Sequence, residues 1–311
     1  MFSNQDRIRI GAAGWHRGDW AETVFAGASP RDHRIDRLLP YMDVLEIGSS
    51  AGVPPKPELA RLWLRKAAVN PRLRMTAPLD HHITHDRNLS PEVVAAWKDA
   101  LLPLQQAGRL AAVVAEFSWA FRFSAANRDF LIRLRAAFPE FRLAAEFLHD
   151  SWLSEEALAL LARYSISFVN VDQPTYFRGM PPTSVLTTSL AMVRFHGRSS
   201  PEAFVELSRR SHARPYLYST DELADWLPRL NRLTGAAREC LVLFTNAQRG
   251  RSLVNALQLG EVLGRQPLFA PAPLVRAYPA EMSAFRTPAP AQLALPAAFY
   301  SEPEVAPRKA A

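Results

Sequence analysis

The feature that most constrains the fold is a regular alternation of short apolar runs with amphipathic helical patterns along most of the 311 residues. Apolar runs of strand length that alternate with helical spacing are typical of parallel α/β proteins. The candidate strands are residues 7–15, 43–50, 72–77, 110–118, 143–147, 166–172, 190–198 and 240–246. Eight such units predict a TIM-type (β/α)8 barrel, with a doubly wound open sheet as the alternative.

The helix starts follow from capping residues. Ser154 before two glutamates indicates an N-cap with an acidic first turn, and Asn127 and Thr220 are predicted caps for two other helices. The segment 92–106 places its apolar residues on one helical face. The helix that begins at Thr220 is expected to continue through Leu230.

The chain divides at a change in composition. Residues 1–265 hold the β-α units and are predicted to form one barrel domain. Residues 266–311 are rich in Pro and Ala and show no ninth unit. We expect this C-terminal tail to be dispensable for the barrel, either disordered or draped over it. In the second case Phe269, Tyr278, Phe285 and Tyr300 are the candidate anchors.

The overall composition excludes several classes of protein. The single cysteine, Cys240, excludes an intrachain disulfide and a cysteine metal cluster. The sequence contains no signal-peptide pattern and no apolar stretch of about 20 residues, so a cytoplasmic protein with no membrane partner is expected. The net charge of +7 favours anionic partners, either a small anion or nucleic acid.

Polar residues interrupt the apolar runs near the ends of separate candidate strands. A barrel would gather these ends around one mouth, so we expect the following residues to lie together: Glu46, Glu146, Asp172, Arg194, His196 and Asn246. The alternative is that they pair only to neutralise one another. Six polar interruptions at equivalent places favour a site, because apolar side chains fill a barrel at lower cost than buried charges.

This set suggests two kinds of chemistry. Glu146 and His196 are the predicted catalytic pair, with Glu46 and Asp172 as further acid or base groups. Carboxylates with a histidine could also hold a divalent metal, although no H-E-x-x-H spacing is present and no ligand set or cofactor is assigned. Guanidinium groups bind phosphate and carboxylate well, so Arg194 and Arg198 are candidate anion contacts.

Seven segments together resemble a known family. They are IGAAGW, DVLEIGSS, ITHDRNL, AAEFLHDSW, VNVDQP, VRFHGR and LFTNAQRG, in this order. The chain is similar over roughly residues 8–264 to the YecE-like family, domain of unknown function 72. This resemblance implies a TIM-type barrel and no established activity. It also adds His85, which matches the Thr-His of the family, as a binding candidate. Trp15, after the first strand, could stack on a sugar or base.

The chain departs from the family pattern at places where a ligand could bind. After Glu46 and Ile47 the family's Asn-Ser-Thr-Phe-Tyr is replaced by Gly-Ser-Ser-Ala-Gly, so an amide and two aromatic residues are missing. Leu148 stands where the family has an arginine, and Thr76-Ala-Pro lacks a family lysine. These changes imply that the ligand contacts of the family are altered or lost.

Three hypotheses remain. The first is an enzyme that uses acid/base or metal-assisted chemistry on a small anionic compound, phosphorylated or sugar-like. The second is a nucleic-acid-processing or nucleic-acid-binding protein, which rests on the basic charge and on fold analogy. The third is a non-catalytic descendant that binds a ligand or a partner.

Overall fold

Eight parallel strands close into a barrel in the computed structural model, which describes residues 7–15, 18–28, 32–48, 53–200 and 215–288. The strands β1 to β8 are Ile8–Ala13, Val44–Glu46, Arg74–Pro78, Leu110–Phe117, Leu143–Phe147, Ile166–Asp172, Leu190–Phe195 and Glu239–Phe244. Each pairs with its neighbour in sequence, and β8 pairs with β1. The (β/α)8 prediction is therefore confirmed, and the open-sheet alternative is wrong because no edge is left between the first and last strands.

Helices follow the strands and cover the barrel. Within the described residues, α1 to α9 are Pro57–Ala67, His81–Thr84, Pro91–Gln106, Ala125–Ala137, Glu155–Arg163, Thr220–Ala224, Leu227–Ala236, Arg251–Val262 and Ala272–Ala277. Ser154 caps α5 as predicted, since its side chain accepts from the backbone N–H of Ala157. None of the described helices combines the length and apolarity required to cross a membrane.

Two predicted caps are wrong by a few residues. Ser124 caps α4 in place of Asn127, and the Asn127 side chain instead donates to the carbonyl of Arg122 at 2.7 Å. Ser219 caps α6 in place of Thr220, and it forms a capping box with Glu222. In both cases a serine that precedes the predicted residue lies where its hydroxyl reaches a free N–H of the first turn.

The helix predicted from Thr220 through Leu230 is two helices. It breaks at Asp225 and Trp226, and the second helix begins at Leu227 with Pro228 in its first turn. Proline lacks the N–H that a continuing helix needs, so it is tolerated at the start of a helix and interrupts the middle. The break orients the Trp226 indole toward the barrel, where it donates to Asp172.

The close approach of β1 to β2 depends on Gly11. A Cβ built at this position would lie 1.6 Å from the carbonyl oxygen of Val44, so no other residue fits without moving a strand. Glycine inside a strand is typical of places where another backbone approaches closely.

The opposite, N-terminal pole of the barrel is rich in arginine. Glu239 accepts from Arg9 at 2.7 Å and pairs with Arg142 at 3.4 Å and Arg74 at 3.6 Å. Burial and the neighbouring arginines lower the pKa of the Arg74 guanidinium. One carboxylate is thus shared by three guanidinium groups at this pole.

The described part of the C-terminal tail packs on the barrel domain. Leu274 and Met282 are fully buried, and Phe285 is almost so. The Tyr278 hydroxyl donates to the carbonyl of Arg249 at 2.9 Å, and Gln258 of α8 donates to the carbonyl of Glu281. Tyr300 lies outside the described residues, and the division at residue 265 stays a prediction.

Candidate functional site

A buried arginine at the carboxyl end of β7 holds three carboxylates together. The Arg194 guanidinium donates through Nη2 to Glu46 and through Nη1 to Glu146, both at 2.7 Å, and Nη1 lies 2.8 Å from Glu116. These residues come from β7, β2, β5 and β4. Strand register explains part of the meeting, because Glu116 and Glu146 are direct partners across β4 and β5. The predicted convergence of Glu46, Glu146 and Arg194 is present.

The contacts of Arg194 with carboxylates do not support its predicted role as an anion contact. Both of its terminal nitrogens bind carboxylates, and the residue is 3% exposed. A free guanidinium edge is what an anion would need. Arg194 therefore acts as the internal counter-charge of three glutamates, whereas the sequence suggested an anion contact.

The two buried glutamates on Arg194 have pKa values shifted in opposite directions. Burial, together with the charges of Glu116 and Glu146, outweighs Arg194 and raises the pKa of Glu46 to about 7. For Glu146, burial acts in the same upward direction, but Arg194 and His196 outweigh it and lower the pKa of the carboxyl well below its usual range. At neutral pH Glu146 is therefore ionised, whereas Glu46 is protonated in part of the molecules.

His196 is held between Glu146 and a threonine. Its Nε2 lies 2.9 Å from Glu146 Oε1, and its Nδ1 lies 2.7 Å from the Thr245 hydroxyl. The hydroxyl is also 3.1 Å from the carbonyl of Phe195. A hydroxyl has one hydrogen, so Thr245 donates either to that carbonyl or to Nδ1. If Thr245 donates to Nδ1, the neutral ring carries its proton on Nε2 and donates it to Glu146. If Thr245 donates to the carbonyl, Nδ1 donates to the hydroxyl, and Nε2 also donates to Glu146 only in the doubly protonated ring.

Asp172 is fully buried at the end of β6 and accepts four hydrogen bonds. Arg198 binds both of its oxygens, at 2.9 and 2.7 Å, while the Tyr218 hydroxyl and the Trp226 indole donate at 2.8 and 2.6 Å. These donors use all the acceptor positions of the carboxylate. Asp172 is thereby suited to position Arg198, rather than to the acid/base role that the sequence suggested.

Arg198 lies at the edge of the site. Besides the two bonds to Asp172, its Nη1 lies 3.4 Å from Glu222, and the side chain keeps 31% of its surface exposed. The Asp172 hydrogen bond is the main cause that raises the pKa of Arg198, so it stays charged. It follows Gly197, whose N–H donates to the Tyr218 hydroxyl at 2.8 Å.

Asn246 anchors the segment after the loop that follows β7. Its side-chain amide donates to the carbonyl of Tyr216 and to Asn255, both at 2.8 Å, and the residue is fully buried. Asn255 in turn donates to the carbonyl of Tyr218. The Asn246 contacts therefore position Tyr218, which holds Asp172, and do not bring its amide to the Arg194 cluster.

Two predicted binding residues have surroundings that differ from expectation. The Trp15 indole is fully buried and meets Trp63 edge to face with 5.3 Å between ring centroids, so its ring is packed against protein. His85 is exposed on the turn after α2, stacks on His81 at 3.9 Å and contacts Thr84. Partial desolvation of the ring and the charge of His81 lower the pKa of His85, against the opposing charge of Glu116.

Sequence reasoning did not include Glu116, Thr245, Tyr218 or Trp226 among the site residues. Glu116 carries the same signal as Glu146, a charged residue near the end of a buried strand, and the β4–β5 register would have paired them. The other three gave no comparable signal, because hydroxyl and aromatic residues near strand ends usually pack or cap. Residues 49–52, which depart most from the family pattern, lie outside the described residues.

The metal hypothesis gains no ligand set from this geometry. Among residues 7–15, 18–28, 32–48, 53–200 and 215–288, no three His, Cys, Asp or Glu residues are arranged so that they could hold a metal ion. The space between Glu46, Glu116 and Glu146 is instead occupied by the Arg194 guanidinium.

Comparison with known proteins agrees with the fold. The chain is 24% identical over 271 residues to the UPF0759 protein YunF of Bacillus subtilis strain 168, which covers 82% of this chain and 94% of that protein. A crystal structure of a DUF72 family protein from Thermotoga maritima is 26% identical, with a TM-score of 0.70 over 83% of this chain and 99% of that one.

A second solved structure shows the same fold at lower identity. It is a DUF72 family protein from Enterococcus faecalis, 22% identical, with a TM-score of 0.72 over 84% of this chain and 96% of that one. Residues 9–277 match the family described as "Protein of unknown function DUF72". This match extends through most of the chain and through the seven segments singled out in the sequence, and so the chain belongs to the DUF72 family.

Proposed function

We propose that the protein is an enzyme that transfers protons at neutral pH to and from a small sugar-like compound, which carries a negative charge. The observation that carries this proposal concerns the two glutamates that accept from the same guanidinium. The pKa of Glu46 is raised to about 7, whereas the pKa of Glu146 is lowered below its usual range. Such a separation is typical of acid/base pairs in active sites.

The residues take distinct parts in this chemistry. Glu46 is the group that gives and takes the proton, because a pKa near 7 keeps both forms populated at working pH. Glu146 stays ionised and holds both Arg194 and His196. Glu116, with 28% of its side chain exposed, is the carboxylate of the cluster most open to a ligand.

The anion contact is best supplied by Arg198. It remains charged and, unlike Arg194, it is partly exposed. Asp172 fixes two of its three nitrogens, while the third has a long 3.4 Å contact with Glu222 that a ligand could replace. A guanidinium held in this way can donate to a phosphate or carboxylate with little loss of rotamer freedom. Arg194 is not needed for this contact.

Deuterium exchange tests the proposal. The protein would be incubated in D2O with glucose 6-phosphate, fructose 6-phosphate, ribose 5-phosphate and the corresponding free sugars, and followed by NMR. Wild type should either exchange carbon-bound protons of at least one phosphorylated sugar for deuterium or convert that sugar into a product. Glu46→Gln should lower the rate of this reaction by about 100-fold. Glu58→Gln, on the exposed face of α1, is the matched control and should leave the rate unchanged.

Two outcomes would contradict the proposal. One is that wild type acts on none of these compounds, which would favour a non-catalytic binding protein. The other is a rate that Glu46→Gln leaves intact. Nucleic acid is not favoured, because Arg198 offers one anion contact at the described mouth, whereas nucleic-acid sites are built from several phosphate contacts.

A further inference from the structure

We propose a second binding site, a groove that accepts a small compound with a planar ring and a negatively charged group. The groove lies between the loops that follow β4, β5 and β6. It encloses about 330 Å³ and is lined by Trp119, Arg122, Phe123, His149, Phe177 and Arg178. This volume is at the lower end of the range for small-molecule sites. We call it the aromatic groove.

An exposed aromatic side chain forms one wall. Phe177 has 83% of its surface exposed, although a phenyl ring at a solvent-exposed turn gains nothing from folding. The next residue, Arg178, has a positive φ of 55°, an unusual backbone conformation for an arginine. Exposed apolar rings beside strained backbone are concentrated at binding sites.

The turn that presents Phe177 is firmly attached. Arg178 donates to Asp150 at 2.8 Å, and the backbone N–H of Asp150 donates to the carbonyl of Arg178 at 3.0 Å. Gly179 packs so closely on Tyr176 that an added Cβ would lie 2.8 Å from its ring. The backbone that carries Phe177 is therefore held in place before any ligand arrives, which lowers the entropy lost on binding.

The opposite side of the groove combines a ring with a cation. The Arg122 guanidinium carbon lies 4.7 Å from the Trp119 ring centroid, in cation–π contact. Arg122 is exposed, and among the described residues no carboxylate pairs with it. This separates it from Arg178, whose charge Asp150 already neutralises. Arg122 is thus able to bind an anion while Trp119 stacks on a ring.

His149 adds a neutral donor at the base. Its Nδ1 accepts from the backbone N–H of Ser151 at 3.0 Å, so the ring proton is on Nε2. Burial is the main cause that lowers the pKa of His149, and Arg122 and Arg178 act in the same direction. The ring lies 5.2 Å from that of Trp119. An uncharged imidazole tolerates the cationic surroundings and suits a polar planar ligand.

These features select the ligand class. Phe177 and Trp119 place aromatic rings on two sides of the groove, and base-like rings bind to such side chains by stacking. Arg122 supplies a single uncompensated positive charge for a phosphate or a carboxylate. The site stands independently of the proton-transfer chemistry, since none of its residues belongs to the Arg194 cluster.

Isothermal titration calorimetry on the full chain tests the groove. AMP and indole-3-acetate represent rings with a phosphate and with a carboxylate. Adenosine and ribose 5-phosphate each lack one of the two parts. At least one of the first two probes should bind, about tenfold or more tightly than adenosine or ribose 5-phosphate. Whichever of AMP and indole-3-acetate binds more tightly shows whether the groove prefers a phosphate or a carboxylate.

Variants locate the binding. Phe177→Ala and Arg122→Ala should each weaken binding of the tighter probe about tenfold. Arg229→Ala is the matched control, because Arg229 lies over Trp226 in a similar cation–π contact away from the groove. Glu46→Gln should also leave affinity unchanged, so loss of the proposed chemistry and loss of this site are distinguishable.

The proposal is overturned if neither AMP nor indole-3-acetate binds. It is equally overturned if binding occurs but ignores both groove variants, or if these variants weaken the binding of adenosine and ribose 5-phosphate as much as that of the complete probes. Ribose 5-phosphate bound at the Arg194 cluster is recognised because the groove variants leave its affinity unchanged. Equal weakening by Arg229→Ala would show a general charge effect and would likewise contradict a specific groove.

Discussion

At the scale of single residues, one guanidinium determines how two glutamates titrate. Glu46 and Glu146 each accept from Arg194 at 2.7 Å, so the distance to the cation does not separate them. The difference comes from the second neighbour. Glu146 also faces His196, whereas among the described residues Glu46 has a long contact of 3.4 Å with the Thr76 hydroxyl and is repelled by the other carboxylates. Environment, more than pairing, gives them different chemistry.

Glu46 should make stability fall as the pH rises. Its pKa is raised from an ordinary 4.5 to about 7, so its contribution is complete below pH 4.5 and is lost as the pH rises through 7. Between pH 5 and 8 we expect wild type to lose about 3 kcal/mol relative to Glu46→Gln. Urea denaturation of both proteins across this range measures the difference. Parallel curves for the two proteins would refute a raised pKa at Glu46.

Replacing Glu146 should be far more costly. Its pKa is lowered, so the stability it provides is present at neutral pH and is lost as the pH falls below 4.5. Glu146→Gln removes the charge that both Arg194 and His196 face, and we expect about 3–5 kcal/mol of destabilisation at pH 7. Glu46→Gln at the same pH is the control, with a smaller loss expected. Similar losses in the two variants would contradict the division of roles.

At the scale of elements, strand ends were predictable and their connections were not. Hydrophobic runs that end in Glu146, Asp172 and Arg194 identify strands, because a charged residue in a buried strand is expected near the end of the strand, where polar groups from other strands can pair with it. The Asp172 network could not be predicted, since it depends on Tyr218 and Trp226 from segments 46 and 54 residues away. No local pattern encodes that meeting.

Small backbone details also escaped the sequence pattern. Both cap errors arose because more than one residue with a capping side chain lies near the start of each helix, and only the folded geometry decides which side chain reaches a free N–H. The Phe177 turn gave no signal, since its Tyr-Phe-Arg-Gly sequence does not reveal a positive φ at the arginine.

Gly197 allows a test of how the β7 loop supports the site. Its φ is +90°, and a Cβ there would lie 2.5 Å from the Tyr216 Cβ. Gly197→Ala should push away the segment that carries Tyr218 and cost about 1–3 kcal/mol, a melting temperature lower by several degrees. Gly235→Ala in α7, where a Cβ meets nothing within 4 Å, should be neutral or stabilising. Equal melting temperatures for the two variants would disprove this support.

At the scale of the whole molecule, charge is distributed unevenly between the two ends of the barrel. At the mouth three carboxylates share Arg194, while at the opposite pole three arginines share Glu239. The net charge of +7 therefore says little about the candidate site. A protein with a positive net charge can have an acidic barrel mouth. The net charge therefore favoured anionic partners more strongly than the geometry of the site does.

The C-terminal tail is expected to contribute to the stability of the whole molecule. Its sequence suggested a dispensable segment, but Leu274, Met282 and Phe285 are buried against the barrel domain. Burying such side chains stabilises by roughly 1.5–3 kcal/mol each, so removing residues 266–311 should cost about 5 kcal/mol or more. We expect the melting temperature to fall by roughly 10 °C or more. A chain ending at residue 288 retains these three side chains and is the matched control. If both truncated chains melt like the full-length protein, the contacts of residues 266–288 contribute little and the expectation from composition holds.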